Sequence, residues 1–277
     1  IGAALSDPTY AKPDNLIRDA DTALYRAKAN GKGRFELFHR EMHETARKRF
    51  EMESDLRDAI SSNQLTLHYQ PIIRVETGRL SHFEALIRWK HPEKGMVPPL
   101  SFLPTAEETG LIVPIGNWVL TEVCRQIKQW HATHGVWARV SLNVSAKQFV
   151  DRRFLEHFAE TLRAEALPRH SVCIEVTEGA LIHDFDRAVH ILNALKELDA
   201  QIHLDDFGTG YSSLAYLYRL PIHGLKIDRS FVNKMIEDPR AKSIVNATLM
   251  LASHLGLEAV AEGVETNEQL NALRSLG

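Results

Sequence analysis

The chain has 277 residues, with 33 Lys+Arg against 36 Asp+Glu and a formal charge of −3. That length allows one large domain, or one domain plus a fragment, because single cores stop growing near roughly 250–300 residues. The charge balance excludes a protein that grips nucleic acid through bulk positive charge, whether DNA or RNA. A hydrophobic share of 44% with 25% charged residues is ordinary for a globular chain and too apolar for a disordered one. No uncharged apolar run approaches the ~18 residues that span a bilayer, and no signal-peptide pattern is read at the N-terminus, so no membrane contact is expected from this stretch. Cys124 and Cys173 lack CxxC or Cys/His metal spacing and read as small buried hydrophobes of a reducing compartment. His131 and His134 read as helix-end or surface residues, with no HExxH pattern and no acidic partner beside them.

In chain order, Leu16 to Ala29 reads as a helix, with Ile17, Ala20, Leu24 and Ala27 at helical spacing; Asn30-Gly31 ends it, and Arg34 to Phe38 follows as a short alternating strand. A piece this small cannot bury enough surface to fold alone, so residues 1–39 read as the end of another domain. The charge-rich segment 40–61 is expected to be a linking helix that enters the next domain, which occupies 62–277.

From residue 62, β-rich runs recur at Leu65–Ile73, His82–Trp89, Arg139–Val144, Val172–Thr177, Ile202–Asp206, Leu225–Asp228 and Ala259–Gly263. Helical segments separate the later ones; in 184–200, Ala188, Ile191, Leu192, Leu195 and Leu198 line one face. This alternation indicates an α/β fold with a mainly parallel sheet. The first two runs are parted by only about eight residues, including Thr77-Gly78, too few for a crossover helix, so they are expected to form an antiparallel hairpin. Seven runs are one short of an eight-stranded barrel, and the chain is expected to stop before the eighth strand.

Acidic and amide residues fall near the ends of these runs: Glu84, Asn143, Glu175, Asp205-Asp206, Asp228 and Glu262. Taken singly, each could start a loop or cap a helix. On successive strands of a parallel barrel they converge on the face where such barrels carry chemistry, and buried carboxylates in that number need a cation. Carboxylates plus one amide oxygen suit hard Mg²⁺ or Mn²⁺, and adjacent aspartates can bridge two ions ~3.5–4 Å apart, as in phosphodiester hydrolysis. Lys226 beside them is either a fixed cation for the attacking hydroxide or the phosphate, or the salt-bridge partner of Asp228. In Asp205-Asp206-Phe207-Gly208-Thr209-Gly210-Tyr211-Ser212-Ser213 two glycines permit a tight loop directly after the acidic pair.

The motifs HYQPI (68–72), EALIRW (84–89), SLNVSAKQ (141–148), IEVTE (174–178), HLDDFGTGYSSL (203–214), LKID (225–228) and AEGVET (261–266) closely resemble those of the EAL-domain family, in the family's order. The resemblance runs from about residue 50 to the C-terminus. It implies a modified (β/α)₈ TIM-like barrel with one antiparallel strand, and hydrolysis of cyclic di-GMP to linear pGpG with two Mg²⁺ or Mn²⁺ ions. By the resemblance, Glu84, Asn143, Glu175 and Asp205 hold one ion, and Asp205, Asp206 and Glu262 hold or orient the second. Glu84, Lys226 and Glu262 form the catalytic set, Lys226 helping to activate water. Gln70 and Arg88 contact substrate, Glu178 supports the DDFGTG loop, and Glu265 stands behind Glu262. The family's eighth strand, with a glutamine-glycine motif, is expected to be missing here. A homodimer through the barrel face near the DDFGTG loop is implied, as is a cytoplasmic site of action, with any membrane anchor of the parent protein expected in N-terminal segments outside this stretch. Leu16–Phe35 resembles the final helix and strand of a GGDEF diguanylate cyclase domain, with Lys28 and Lys32 at phosphate-contacting positions. The GGDEF signature itself is absent, and Gly33 stands where Asn is usual. A binding module that senses cyclic di-GMP without hydrolysing it is the alternative; a Mg²⁺-dependent barrel enzyme acting on a small carbanion substrate is a more remote one.

Overall fold

A computed structural model describes residues 1–6, 12–29, 31, 33–182, 184–210 and 214–277. Asn30, Lys32 and 211–213 of the motifs above lie outside the described residues. The chain opens with β1 (Gly2–Ala3), α1 (Pro13–Ala29), β2 (Glu36–Leu37) and α2 (Glu41–Ser61). It continues through β3 (Leu65–Ile73), β4 (Leu80–His91), β5 (Gly95–Val97), α3 (Pro99–Thr109), α4 (Ile112–His134), β6 (Val140–Val144), α5 (Ala146–Phe149) and α6 (Phe154–Glu165). The rest comprises β7 (Val172–Thr177), α7 (Glu178–Ile182), α8 (Phe185–Glu197), β8 (Gln201–Phe207), α9 (Leu214–Arg219), β9 (Gly224–Ile227), α10 (Arg229–Lys234), α11 (Pro239–Leu255), β10 (Glu258–Ala261) and α12 (Asn267–Leu276).

The main sheet runs β10-β9-β8-β7-β6-β4-β3, with β5 on β4. All its neighbours are parallel except β3–β4, the hairpin anticipated from the short connection, and the three-residue β5 on β4. The result is an α/β fold with a curled, mostly parallel sheet, and no pairing joins β3 to β10 among the described residues. The seven sequence-predicted strands all form, with ends shifted by a few residues; β5 is an addition, because three residues are too few for an alternation to show.

Alternation decides what faces inward. In β7, β8 and β9, Val172, Ile174, Val176, Ile202, Leu204, Leu225 and Ile227 are buried against helices. The residues between them, Cys173, Glu175, His203, Asp205, Gly224 and Lys226, occupy the other face. A sheet covered on both faces therefore carries its polar side chains into the barrel.

The N-terminal elements are stitched to the barrel by α2. Its start packs by Met42 and by His43, whose Nε2 lies 2.7 Å from Asp19, beneath α1, where Ala23 and Ala27 are buried. Its end contributes Leu56 and Ala59 to the main core. Between them, Arg49 lies 4.7 Å over the Tyr25 ring and pairs with Glu108 at the end of α3. No helix among the described residues is long and apolar enough to cross a membrane. Both cysteines are free and buried, and burial pushes the Cys124 thiol up to about 12. His131 and His134 lie in the last turn of α4, where His131 stacks on Trp137 with ring centroids 3.8 Å apart.

Candidate active site

The parallel register sets the site. Asn143 pairs with Glu175 across β6–β7, and Thr177 with Asp205 across β7–β8, so their side chains emerge together near the C-terminal ends of the strands. Glu84 reaches them from β4, where Gln70 of β3 is its direct cross-strand partner. Glu262 follows the end of β10, its backbone N–H bonded to the Ile227 carbonyl.

At the centre stands Lys226, 1% exposed. Its Nζ lies 2.6 Å from Glu175 Oε2, 2.7 Å from Glu262 Oε1, 3.4 Å from Asp205 Oδ2 and 3.6 Å from Glu84 Oε2. Three strands and the residue that follows β10 thus bring four carboxylates to one ammonium. The alternative pairing with Asp228 is overturned: Asp228 caps α10, its Oδ1 accepting from Ser230 N at 3.0 Å, so it is a helix-capping residue and not a member of the cluster. A capping aspartate and a site aspartate are indistinguishable in a single sequence, since both sit at a strand end before a helix.

The shortage of positive charge shows in the acidities. Burial pushes Glu175 up to about 8 against the pull of Lys226, with Glu84 and Asp205 adding to the rise. Burial likewise raises Glu262, again opposed by Lys226. Burial alone would lower the Lys226 ammonium, but Glu175, Asp205, Glu84 and Glu262 together hold it above its ordinary value.

Adjacent residues on a regular strand point to opposite faces, and a local irregularity removes that obstacle for Asp205 and Asp206. The β8–β9 register slips between Leu204 and Phe207, and Asp206 takes a left-handed backbone with φ 55°. Burial, Asp205 and Asp228 together raise the Asp206 carboxyl above its usual range. Asp206 N donates to Asp205 Oδ1 at 2.9 Å, and the turn closes when Thr209 donates back to the Asp206 carbonyl. Glu178, the first residue of α7, lies against this loop: a Cβ on Gly210 would come within 3.3 Å of its carboxyl group.

The donor set fits hard divalent cations. Asn143 Nδ2 donates to Glu84 Oε1 at 2.9 Å, which leaves its amide oxygen for a ligand. Four carboxylates share one ammonium, and oxygen donors without thiols suit Mg²⁺ or Mn²⁺. Arg88 lies four residues beyond Glu84 on the same face of β4, its guanidinium now held by the Ile87 carbonyl at 2.8 Å. The structure does not bring Glu265 into the cluster: it is exposed in the turn after β10, where its backbone N–H is taken by Gln269.

Sequence reasoning missed the layer below. His82 and His203 stand two residues before Glu84 and Asp205, on the same face one pleat deeper, and both are almost completely buried. Burial lowers His82 to about 4 and His203 to about 3, so both are neutral. The period of two that placed the acids also places these histidines. Beneath them Arg139 spans the barrel floor, bonding Glu258 Oε2 at 2.9 Å, Ser81 at 3.2 Å and also Gln201.

The family profile described as "EAL domain" matches residues 53–277. The chain belongs to the EAL-domain family. Among curated relatives, this EAL domain is similar to "Cyclic di-GMP phosphodiesterase PdeR" of Escherichia coli K12, 40% identical over 97% of this chain and 40% of that protein. It is similar also to "Bifunctional diguanylate cyclase/cyclic di-GMP phosphodiesterase MucR" of Pseudomonas aeruginosa, 41% identical over 100% of this chain and 40% of that protein. The chain therefore spans about two fifths of these relatives. Among solved structures, "PaMucR Phosphodiesterase, c-di-GMP complex" matches with a TM-score of 0.79 and 43% identity, covering 82% of this chain and 92% of that one.

Proposed function

We propose that this EAL domain hydrolyses cyclic di-GMP to linear pGpG with two bound Mg²⁺ or Mn²⁺ ions. The observation that carries the reading is the gathering of Glu84, Glu175, Asp205 and Glu262 around Lys226, a site with more buried negative charge than its one ammonium neutralises. In this reading Glu84, Asn143, Glu175 and Asp205 hold one ion, and Asp205, Asp206 and Glu262 the other. Such ions, when bound, acidify water and offset charge on phosphoryl oxygens. Lys226 orients the attacking water and stays protonated among its carboxylates. Gln70 and Arg88 bind the substrate, Arg88 offering its planar fork to a phosphate once it leaves the Ile87 carbonyl. Glu178 steadies the loop after Asp206, and Glu265 acts from outside the cluster, behind Glu262.

Residues 62–277 form the phosphodiesterase domain, 40–61 the linking helix and 1–39 the end of a GGDEF-like domain. The similarity to MucR extends through residues ahead of the EAL match, which begins at residue 53, inside the linking helix of this reading. A cytoplasmic site of action and a homodimer through the barrel face near the DDFGTG loop complete the proposal. The test is a product assay: the chain, incubated with cyclic di-GMP and Mg²⁺ or Mn²⁺, yields pGpG. Tight binding of cyclic di-GMP with no product would overturn hydrolysis and make the domain a receptor.

A further inference from the structure

The layer beneath the acid cluster carries polar groups that the proposed reaction does not use. His82 Nε2, both nitrogens of His203 and the Ser141 hydroxyl are buried without a hydrogen bond among the described residues, although His203 Nε2 lies 3.8 Å from Glu258 Oε2. Buried polar atoms are almost always bonded to something. The His203 ring lies against Gly224, where a Cβ would come within 2.8 Å of it, and faces His82 edge-on with centroids 6.0 Å apart.

The tautomer of His82 follows from its other side. Arg139 Nη2 lies 3.1 Å from His82 Nδ1, and a guanidinium only donates, so Nδ1 accepts. With Nδ1 accepting, the ring proton sits on Nε2. That excludes one occupant: two imidazoles and a carboxylate resemble a transition-metal set, but a protonated Nε2 has no lone pair for a metal. A small molecule that both accepts and donates is required. A ring nitrogen of each histidine and a carboxylate oxygen of Glu175 lie within 4.8 Å of one another. One water at about 2.8 Å from each spans pairs up to roughly 5.6 Å apart.

We propose that His82, His203 and Glu175 enclose one ordered water that accepts from His82 Nε2–H and donates to an oxygen of the Glu175 carboxyl group. Through it, Arg139 at the opposite end of the barrel positions Glu175 by way of His82. His82 is thus a positioning residue, the inference resting on the reading of Glu175 as a metal ligand. Groups that orient a ligating carboxylate or imidazole are commonly worth about 10–100-fold in metal affinity.

The first measurement uses the unaltered protein: long-range ¹H–¹⁵N correlation spectra of ¹⁵N-histidine-labelled chain report each tautomer. The expected result is Nε2–H at His82; Nδ1–H there overturns the proposal. The second is Mn²⁺ titration of variants whose circular dichroism matches the parent. His82→Leu should bind Mn²⁺ about tenfold or more weakly, and His82→Gln, which restores an N–H donor, should recover most of that loss. Parent-like Mn²⁺ affinity in His82→Leu, alongside a loss in Glu175→Gln, overturns the water bridge and leaves Glu175 as a ligand. Parent-like affinity in Glu175→Gln instead overturns the metal-ligand reading and this inference with it.

Discussion

Lys226 Nζ and Glu175 Oε2 meet at 2.6 Å inside the barrel, each side chain 1% exposed. Breaking a buried pair by removing one partner typically costs about 3–5 kcal/mol. Lys226→Met is therefore expected to lose stability of that order at pH 8 without divalent ions and to make no pGpG. Since ions of the proposed kind would neutralise the same carboxylates, Mn²⁺ should return much of the lost stability. Urea denaturation with and without Mn²⁺ checks this; an equal deficit in both conditions would show that the carboxylates are not the ion site.

The acidity of Glu175 fixes a pH dependence. Its folded carboxyl holds a proton up to about 8, against an ordinary value of 4.5. The folded state binds the proton more tightly, so the stability from this group is present below about pH 4.5 and is lost as pH rises to about 8 in the metal-free protein. Cation binding at Glu175 must expel that proton. Mn²⁺ affinity should therefore climb with pH, by up to about tenfold per unit, and level off above pH 8. Calorimetry at pH 7 in two buffers of different ionisation enthalpy should show proton release; none would place the ion elsewhere.

Glu84→Ala is expected to lower turnover by more than ~10³-fold while the chain still folds. The Glu84 side chain is 13% exposed, against 1% for Glu175, and its loss frees Asn143 Nδ2 to water. Product assays with matched circular dichroism decide it, and near-parent activity would remove Glu84 from the site.

The contact between Glu178 and Gly210 predicts a coupled pair. Gly210→Ala would press a methyl to within 3.3 Å of the Glu178 carboxyl, and Glu178→Ala would remove the carboxyl group that lies against the loop. Each is expected to slow turnover about tenfold, with the double variant far from additive because both act on one loop. Strict additivity in a double-mutant cycle would separate the two residues.

Gly224→Ala tests the packing beneath the site. Its methyl would meet the His203 ring at 2.8 Å, an overpacking expected to cost about 1–3 kcal/mol, read as a lowered thermal midpoint.

Much of this architecture was legible because strands covered on both faces write themselves as short apolar runs. Leu65–Ile73 and Val172–Thr177 were bounded to the residue, and the hairpin followed from chain length alone. The gathering of Glu84, Glu175, Asp205 and Glu262 could be anticipated because strand-end positions on a parallel sheet share one rim. What escaped was three-dimensional partnership. Lys226 and Asp228 are two apart, yet Asp228 serves the following helix while Lys226 pairs with residues as far back as Glu84. The bulge at Asp205-Asp206 leaves no mark on composition. His82 and His203 were visible as letters but needed the register to show that they face one another across the barrel.

The order of these residues along the chain has a consequence for synthesis. Glu84, Glu175 and Asp205 all precede Lys226, and Arg139 must wait 119 positions for Glu258. A nascent chain emerging from the ribosome thus holds the acids before their counter-ion exists, and contacts of such long span close late. The segment from Lys226 to Glu262 therefore supplies the partners that the preceding strands await.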